Sequence, residues 1–244
     1  MNYKVFLINL DRSTERLEKA AQQLNRLNVP FERIAAVDGS QLTKAEIDAA
    51  FDIEQAERRT AYNLTIGEMG CYLSHVECWR RIIAEALDFA IVLEDDLVLD
   101  DGFPEAIAEI EQLTHTHAWD YIKLANPFKK RPYQTRLSIN NFTLVDYPKA
   151  PTGTVAQAVS LTGAQALLPH RPPFFRAIDV DLQWEWELGI KVQGLVPYVA
   201  NVSDAESEIQ QMAQRKDLKQ RRWTKLKESI KFKLKNNLKD TFTK

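Results

Sequence analysis

The chain has 244 residues, of which 45% are hydrophobic, which is enough for one sizeable core but too short for two full domains and a linker. It contains no run approaching the roughly 18 apolar residues that cross a bilayer, and its start lacks the basic flank and cleavage site of a signal peptide. Composition therefore argues against a membrane-spanning or secreted protein, and we expect a cytoplasmic one.

The formal net charge of −2 hides an uneven distribution of charge along the chain. Residues 215–244 hold 12 Lys and Arg against 3 Asp and Glu, whereas residues 1–214 hold 20 against 31. An acidic body followed by a basic tail indicates that the tail acts on a partner of its own. We therefore expect a main domain at residues 1–209 and a tail at residues 210–244.

Apolar periodicity predicts strands that alternate with helices along the main domain. The predicted strands are 3–10, 31–37, 89–93, 121–124, 155–160 and 191–196. The predicted helices follow residues 11–14, run from about 67 to 86 after a Thr65 cap, and cover 101–113, 162–168 and 181–188. Residues 126–152 are rich in turn formers and are interpreted as an acceptor-binding lid with a hairpin at Asn140-Asn141. The alternation predicts an α/β fold with a mostly parallel central sheet flanked by helices.

Polar residues follow three of the predicted strands where each one ends. Such sheets bind ligands at the carboxyl ends of their strands, so these residues are candidates for one site. They are Asn9 with Asp11-Arg12, Asp38-Gly39, and the triplet Glu94-Asp95-Asp96. The two cysteines, Cys71 and Cys78, have a spacing that suits neither a redox pair nor a zinc knuckle, and we expect free thiols.

The acidic triplet follows a buried apolar strand, where adjacent carboxylates repel one another unless a cation compensates. Oxygen ligands of this kind suit Mn²⁺ or Mg²⁺. In an extended chain Glu94 and Asp96 point to one side and Asp95 to the other, so Glu94 and Asp96 are the expected metal ligands. The alternative is a solvated acidic turn.

Neither of the two commonest nucleotide-binding motifs, GxxxxGK[ST] or GxGxxG after a strand, is present. A carboxylate-bound metal can bridge the phosphates of a departing nucleoside diphosphate, with Arg12 or Arg16 assisting. That is sugar-transfer chemistry. For both arginines the alternative is a solvated first helical turn.

Seven segments in order along the chain form a recognisable set. They are INLDRSTERL at 8–17, AAVDGSQLT at 35–43, TIGEMGCYLSHVECWRRI at 65–82, FAIVLEDDLVL at 89–99, YIKL at 121–124, GTVAQAVSLTGAQALL at 153–168 and AIDVD at 177–181. Together they resemble glycosyltransferase family 25, which includes bacterial lipooligosaccharide galactosyltransferases and collagen galactosyltransferases. The resemblance implies a GT-A-like nucleotide-diphospho-sugar transferase fold and UDP-galactose as the donor. One departure is Gln157, which stands where family members often carry an aromatic residue.

The resemblance also implies roles for single residues. Glu94 and Asp96 match the acidic metal motif. Residues near the nucleotide sugar are Asn9, Arg12, Arg16, Asp38, Gly39, Ser74, His75, Asp95 and Lys123. For His75 the alternative is a hydrogen-bonded structural histidine. Inverting transfer needs a base opposite the metal, for which Asp179 is the first candidate, Asp181 the second and Glu185 a further one.

These features predict a metal-dependent hexosyltransferase acting on a lipid-linked saccharide such as a lipooligosaccharide precursor. Two rivals stay open: a metal-dependent nucleotidyltransferase or phosphohydrolase, and a catalytically silent sugar-binding module of the same fold. Release of UDP from a UDP-sugar distinguishes the transferase from the first rival. The intact acids at positions 94, 96 and 179 argue against the second rival.

The basic tail is predicted to form an amphipathic helix over residues 215–239. Its apolar stripe consists of Trp223, Leu226, Ile230, Leu234 and Leu238. Basic helices with such a stripe lie in the interface of anionic membranes, so we expect peripheral association with the inner face of the cytoplasmic membrane. The alternatives are a stripe packed back on the body and a solvated tail. Since the body is acidic, we expect no nucleic-acid partner.

Overall fold

The computed structural model describes residues 1–203 and 221–241, and in the second range it describes side chains as far as residue 236. The predicted domain boundary between residues 209 and 210 lies outside these ranges, as does Leu238 as a side chain. Among the described helices, none is long and apolar enough to cross a bilayer.

The elements largely follow the predicted alternation of strands and helices. The strands are β1 (Tyr3–Asn9), β2 (Glu32–Ala35), β3 (Phe89–Glu94), β4 (Leu97–Leu99), β5 (Tyr121–Lys123), β6 (Gln134–Ile139), β7 (Phe142–Asp146), β8 (Ala156–Ser160), β9 (Val192–Val196) and β10 (Ala200–Val202). The helices are α1 (Thr14–Arg26), α2 (Lys44–Ala50), α3 (Ile53–Arg59), α4 (Ile66–Ala84), α5 (Phe103–Thr116), α6 (Leu161–Leu167), α7 (Ile178–Asp181), α8 (Glu185–Leu188) and the C-terminal helix (Arg222–Thr241).

Within the described residues, eight strands form one sheet in the order β2-β1-β3-β8-β5-β9-β7-β6. β1 runs parallel to β2 and β3, and β5 runs parallel to β9. β8 is antiparallel to both of its neighbours, and the β6–β7 hairpin forms the far edge. Six strands thus share one direction while β7 and β8 oppose it, which confirms the predicted α/β fold with a mostly parallel sheet.

Helices cover both faces of the sheet, so its central strands are buried on both sides. On β3, Ala90 and Val92 pack into a core that includes the buried side chains of α4. The alternate residues Phe89, Ile91 and Leu93 face a second core with α1 and α5. This two-sided burial accounts for the continuous apolar run that predicted β3.

Two predicted elements differ from the structure. The segment interpreted as an acceptor-binding lid contains the expected hairpin at Asn140-Asn141, but β7 pairs with β9, so this part of it is an edge of the main sheet. The helix predicted at 181–188 is two short helices, α7 and α8. The structure also contains α2 and α3, which were not predicted.

The loop after β2 is pressed against the first turns of α4, whose N-terminus Thr65 caps as predicted. A side chain on Gly70 would overlap the backbone of Val37, and one on Gly39 would overlap the carbonyl of Ile66. Close backbone approach at these two glycines therefore sets the position of the loop beside the candidate site.

Candidate functional site

The carboxyl ends of β1, β3 and β5 lie at one edge of the sheet, because these three strands run in the same direction. Each ends in a polar residue: Asn9, Glu94 and Lys123. Ile8 is in register with Glu94, so the ends of β1 and β3 are adjacent. The Asn9 amide donates a hydrogen bond to Asp95 Oδ2 at 2.6 Å. The polar residues expected to meet after β1 and β3 thus lie together at this edge, and Lys123 at the end of β5 joins them.

The three acids of the triplet differ in their surroundings, because Glu94 belongs to a strand and the two aspartates do not. β3 ends at Glu94, and Asp95 and Asp96 lie in the bend that precedes β4. The Arg16 guanidinium is 2.6 Å from Asp95 Oδ1 and 3.2 Å from Asp96 Oδ2. The alternation that pointed Asp95 away from Asp96 therefore fails, because it holds only while the chain stays extended. The solvated-turn alternative for Arg16 is also wrong, since this side chain bridges two site acids.

Asp96 carries the strongest sign of a missing positive charge. It is buried, and its Oδ1 has no hydrogen-bond partner among the described residues. Burial first, and then the charge of Glu94, raise the pKa of Asp96 to about 7. Burial likewise raises the pKa of Asp95, despite the Asn9 hydrogen bond and Arg16. A divalent cation would offset both the burial of these carboxylates and their mutual repulsion. These oxygen donors therefore fit Mn²⁺ or Mg²⁺.

Glu94 turns toward α4, where it meets two side chains one helical turn apart. His75 is buried, with its Nε2 2.9 Å from Glu94 Oε1, and Cys71 Sγ is 3.9 Å from the same oxygen. The three potential ligand atoms lie within 4.8 Å of one another. Burial opposes ionisation of Glu94, but hydrogen bonds from His75 and Thr154 outweigh it and lower the pKa of Glu94. Burial and nearby carboxylates raise the pKa of the Cys71 thiol well above its usual range, so the thiol is neutral.

Lys123 and Asp179 lie next to this group of residues. Lys123 is buried and donates a hydrogen bond to the carbonyl of Gly153, while the N–H of Gly153 donates to Asp179 Oδ2 at 3.3 Å. Burial lowers the pKa of Lys123 to about 8, against the opposing charges of Asp179 and Glu94. Asp179 is partly exposed, so an acceptor hydroxyl has access to its carboxylate.

Asp181, the second candidate base, is fully buried and closed off by donors. Arg171 binds its two oxygens at 2.6 and 3.0 Å, Arg176 binds at 2.9 Å, and the Tyr72 hydroxyl donates at 2.8 Å. A carboxylate held in this way has no free lone pair directed toward a substrate. The prediction that Asp181 serves as a base is therefore wrong, and Asp181 is a structural anion. Glu185 is buried too, and it accepts a hydrogen bond from the Val192 N–H at 2.9 Å.

Other predicted nucleotide-binding residues hold the loops around the site together. Ser74 is buried, donates to the carbonyl of Gly70 at 2.7 Å and accepts from the N–H of Val37 at 2.9 Å, so it fastens the β2 loop to α4. Arg12 pairs with Asp38, which joins the loops that follow β1 and β2. The structure thus brings Asn9, Arg16, Asp95, Asp96, Glu94 and Lys123 to one edge, and gives Ser74 a structural role.

Gln157 is a site residue that sequence reasoning noted only as a departure. It is fully buried on β8, in register with Val92 and Lys123, and its side chain lies on their face of the sheet. In the described part of the chain neither of its amide atoms has a hydrogen-bond partner, and the same holds for the hydroxyl of Tyr121. Buried polar atoms without partners are costly and point to an absent ligand or water. The signal in the sequence was a glutamine inside an apolar strand.

The chain is similar in sequence to one known protein family and to proteins from several vertebrates. The family profile described as glycosyltransferase family 25 (LPS biosynthesis protein) matches residues 2–168. Procollagen galactosyltransferase 1 of Danio rerio is 31% identical over 176 residues, which are 69% of this chain and 29% of that protein. Procollagen galactosyltransferase 2 of Homo sapiens is 30% identical over 186 residues, 73% of this chain and 29% of that protein. The chain thus spans less than a third of the length of these relatives.

Two further proteins are also similar. The probable inactive glycosyltransferase 25 family member 3 of Rattus norvegicus is 27% identical over 183 residues, 73% of this chain and 32% of that protein. Among solved structures, mannose-1-phosphate geranyltransferase from Thermus thermophilus superposes with a TM-score of 0.44 at 10% identity, covering 80% of this chain and 74% of that one.

Proposed function

This chain belongs to glycosyltransferase family 25, and from that membership we propose that it transfers galactose from UDP-galactose to a saccharide acceptor, with inversion at the anomeric carbon. The observation that carries the proposal is the acidic edge of the sheet. There Asp95 and Asp96 share Arg16 beside the end of β1, and Asp96 retains one carboxylate oxygen without a partner among the described residues.

Asp96 and Asp95 are the residues that would hold a divalent cation, with Glu94 as the neighbouring carboxylate. The sequence predicted Asp96 and Glu94 as the ligand pair. We include Asp95 because Arg16 contacts both aspartates, which places their carboxylates side by side. A bound Mn²⁺ or Mg²⁺ supplies charge neutralisation for a departing diphosphate. Arg16 adds a guanidinium that donates to phosphate oxygens at the same place.

Asp179 is the base in this proposal. The acceptor hydroxyl attacks the anomeric carbon, its proton passes to the Asp179 carboxylate, and the bond between that carbon and the diphosphate oxygen breaks, releasing UDP. Asp179 suits this role because it is partly exposed and, within the described residues, accepts a single backbone hydrogen bond, from the N–H of Gly153. Lys123 lies nearby, and the charge of Asp179 raises the pKa of this lysine against the effect of burial.

The acceptor in this proposal is a lipid-linked saccharide of the lipooligosaccharide type, presented at the cytoplasmic face of a membrane. The family description supports it by referring to LPS biosynthesis, whereas the vertebrate relatives named above carry procollagen in their names. Both the family description and the names of these relatives refer to the synthesis of a glycosylated product.

A donor screen tests the proposed function. Purified protein is incubated with UDP-galactose, UDP-glucose and UDP-N-acetylglucosamine and a saccharide acceptor, with Mn²⁺ or with EDTA, and the release of UDP is measured. We expect acceptor-dependent release that is fastest with UDP-galactose and lost in EDTA. Equal release in EDTA, or no release with any donor, contradicts the proposal.

A further inference from the structure

The C-terminal helix is docked on the body through one of its faces. Phe232 is 8% exposed, and its ring centroid lies 5.3 Å from that of Trp184 and 5.1 Å from that of Trp186. The Lys149 ammonium lies 4.6 Å from the centroid of the same ring. An aromatic cluster of this kind stabilises a fixed contact between helix and body.

Polar contacts fasten the same face from one end of the described helix to the other. Before its first turn, Arg221 donates to the Ala56 carbonyl at 3.0 Å and to Asn63 Oδ1 at 2.8 Å. In its middle, Glu228 lies 3.3 Å from the Arg59 guanidinium. Near its end the Asn236 amide donates to the carbonyl of Pro148. Contacts of this extent fix the rotation of the helix about its own axis.

The opposite face is apolar and points away from the body. Trp223 is 78% exposed, Leu226 52%, Ile230 51% and Leu234 62%. At about 100° per residue these four positions fall within one narrow sector, on the far side of the helix from Phe232. The alternative in which the stripe packs back on the body is therefore wrong for these residues.

Cations flank the exposed stripe along its whole described length. The helix holds seven Lys and Arg against two Asp and Glu over residues 222–241. A shallow groove on it is lined by Lys227, Ile230, Lys231, Leu234 and Lys235. The face thus combines an exposed tryptophan, aliphatic side chains and positive charge, which suits a flat, negatively charged and partly apolar partner.

We propose that this outward face of the C-terminal helix, carrying Trp223, Leu226, Ile230 and Leu234, docks in the plane of an anionic lipid bilayer. The aliphatic side chains enter the boundary between headgroups and acyl chains, while the flanking lysines contact lipid phosphates. Charge complementarity favours an anionic bilayer as the partner. A basic surface would repel the lysines, and a neutral surface would leave them without counter-charges.

Docking of the inward face gives the bound protein a fixed orientation. Arg59 also pairs with Glu187, and Arg176 joins Glu187 at 2.8 Å to Asp181 at 2.9 Å. This chain of ion pairs runs from Glu228 on the helix to α7, which carries Asp179. A bilayer on the outward face of the helix therefore lies on the side of the molecule where α7 and α8 sit.

The test measures co-sedimentation of the full chain with vesicles of phosphatidylcholine alone and with added phosphatidylglycerol. Ile230→Ser and Ile53→Ser form a matched pair, because Ile53 on α3 is 53% exposed and lies outside the stripe. A double variant, Ile230→Ser with Leu234→Ser, enlarges the effect. Circular dichroism and melting temperature establish that each variant is folded.

We expect the wild type to bind the anionic vesicles and not the neutral ones, with partitioning reduced about tenfold or more in the double variant and unchanged in Ile53→Ser. UDP release with a short soluble acceptor stays unchanged in all of them, so failure of the transferase proposal is seen separately. Equal vesicle binding by wild type and double variant overturns the inference. The inference is also overturned if the wild type does not bind vesicles but forms dimers and the double variant does not. That result would show that the face binds a second copy of the chain.

Discussion

His75 Nε2 lies 2.9 Å from Glu94 Oε1, and this contact joins the middle of α4 to the end of β3. The histidine is buried, so its ring has little freedom to leave the carboxylate. In the proposed site, a side chain that holds Glu94 in one rotamer affects catalysis through that carboxylate. We therefore propose that His75 is a positioning residue.

Replacing His75 separates this role from direct catalysis. We expect His75→Ala to lower activity, or to raise the Mn²⁺ concentration that gives half-maximal activity, by about 10-fold to 100-fold. His75→Gln keeps a donor and should recover part of the loss. Kinetics at a series of Mn²⁺ concentrations measure both, and an alanine variant with wild-type Mn²⁺ dependence and rate contradicts the assignment.

Asp179→Asn tests the base. The amide cannot take the acceptor proton, so we expect kcat to fall by about a hundredfold to ten-thousandfold, while the KM for the donor changes little. The fold should be unaffected, because Asp179 is partly exposed. If the substitution instead mainly weakens donor binding, Asp179 contacts a sugar hydroxyl and the base lies elsewhere.

Asp181→Asn has a different consequence, although Asp181 lies only two residues further along. Loss of its charge leaves Arg171 and Arg176 buried without their shared anion. We expect the free energy of unfolding to fall by about 3–5 kcal/mol, as for other broken buried ion pairs. Urea unfolding followed by fluorescence measures it. A variant as stable as the wild type would show that the two arginines find other partners.

Gln157→Leu tests whether the buried amide serves a substrate. The leucine removes two polar atoms that have no hydrogen-bond partner among the described residues, so the stability of the free protein should be unchanged or slightly higher. If the amide binds a sugar hydroxyl or phosphate oxygen, kcat/KM should fall by about 10-fold to 100-fold. Melting temperature and kinetics on the same preparation give both values. A clear loss of stability would instead mean that water satisfies the amide in the free protein.

Local patterns predicted much of this fold and of the acidic edge. The run from Phe89 to Leu93 is apolar at every position, which identified β3 and placed the acids at its end. Thr65 marked the start of α4. The capping pair Thr43 and Glu46, which begins α2, is an equally local signal in the sequence.

The remaining features depend on contacts between distant parts of the chain. Asp181 became a candidate base because it lies near Asp179, but its role is set by Tyr72, which is 109 residues away in sequence, and by two arginines. Asp95 and Asp96 came together because the chain bends after Glu94, and strand alternation carries no information beyond a strand's end. The outward direction of the tail's apolar stripe is set by Phe232 and its tryptophan partners on the body.

Galactose transfer through the acidic edge is tested by analysis of the product made from UDP-galactose by the wild type and by Asp96→Asn. Asp101→Asn is the matched control, since that carboxylate is exposed and pairs with Arg26 at 2.5 Å. We predict that the wild type and the control each add one galactose in β linkage to the acceptor, seen by mass spectrometry and NMR, and that Asp96→Asn adds none while remaining folded. Galactose transfer by Asp96→Asn at the wild-type rate would show that Asp96 has no part in the reaction, and release of UDP without a lengthened acceptor would show that the protein is not a galactosyltransferase.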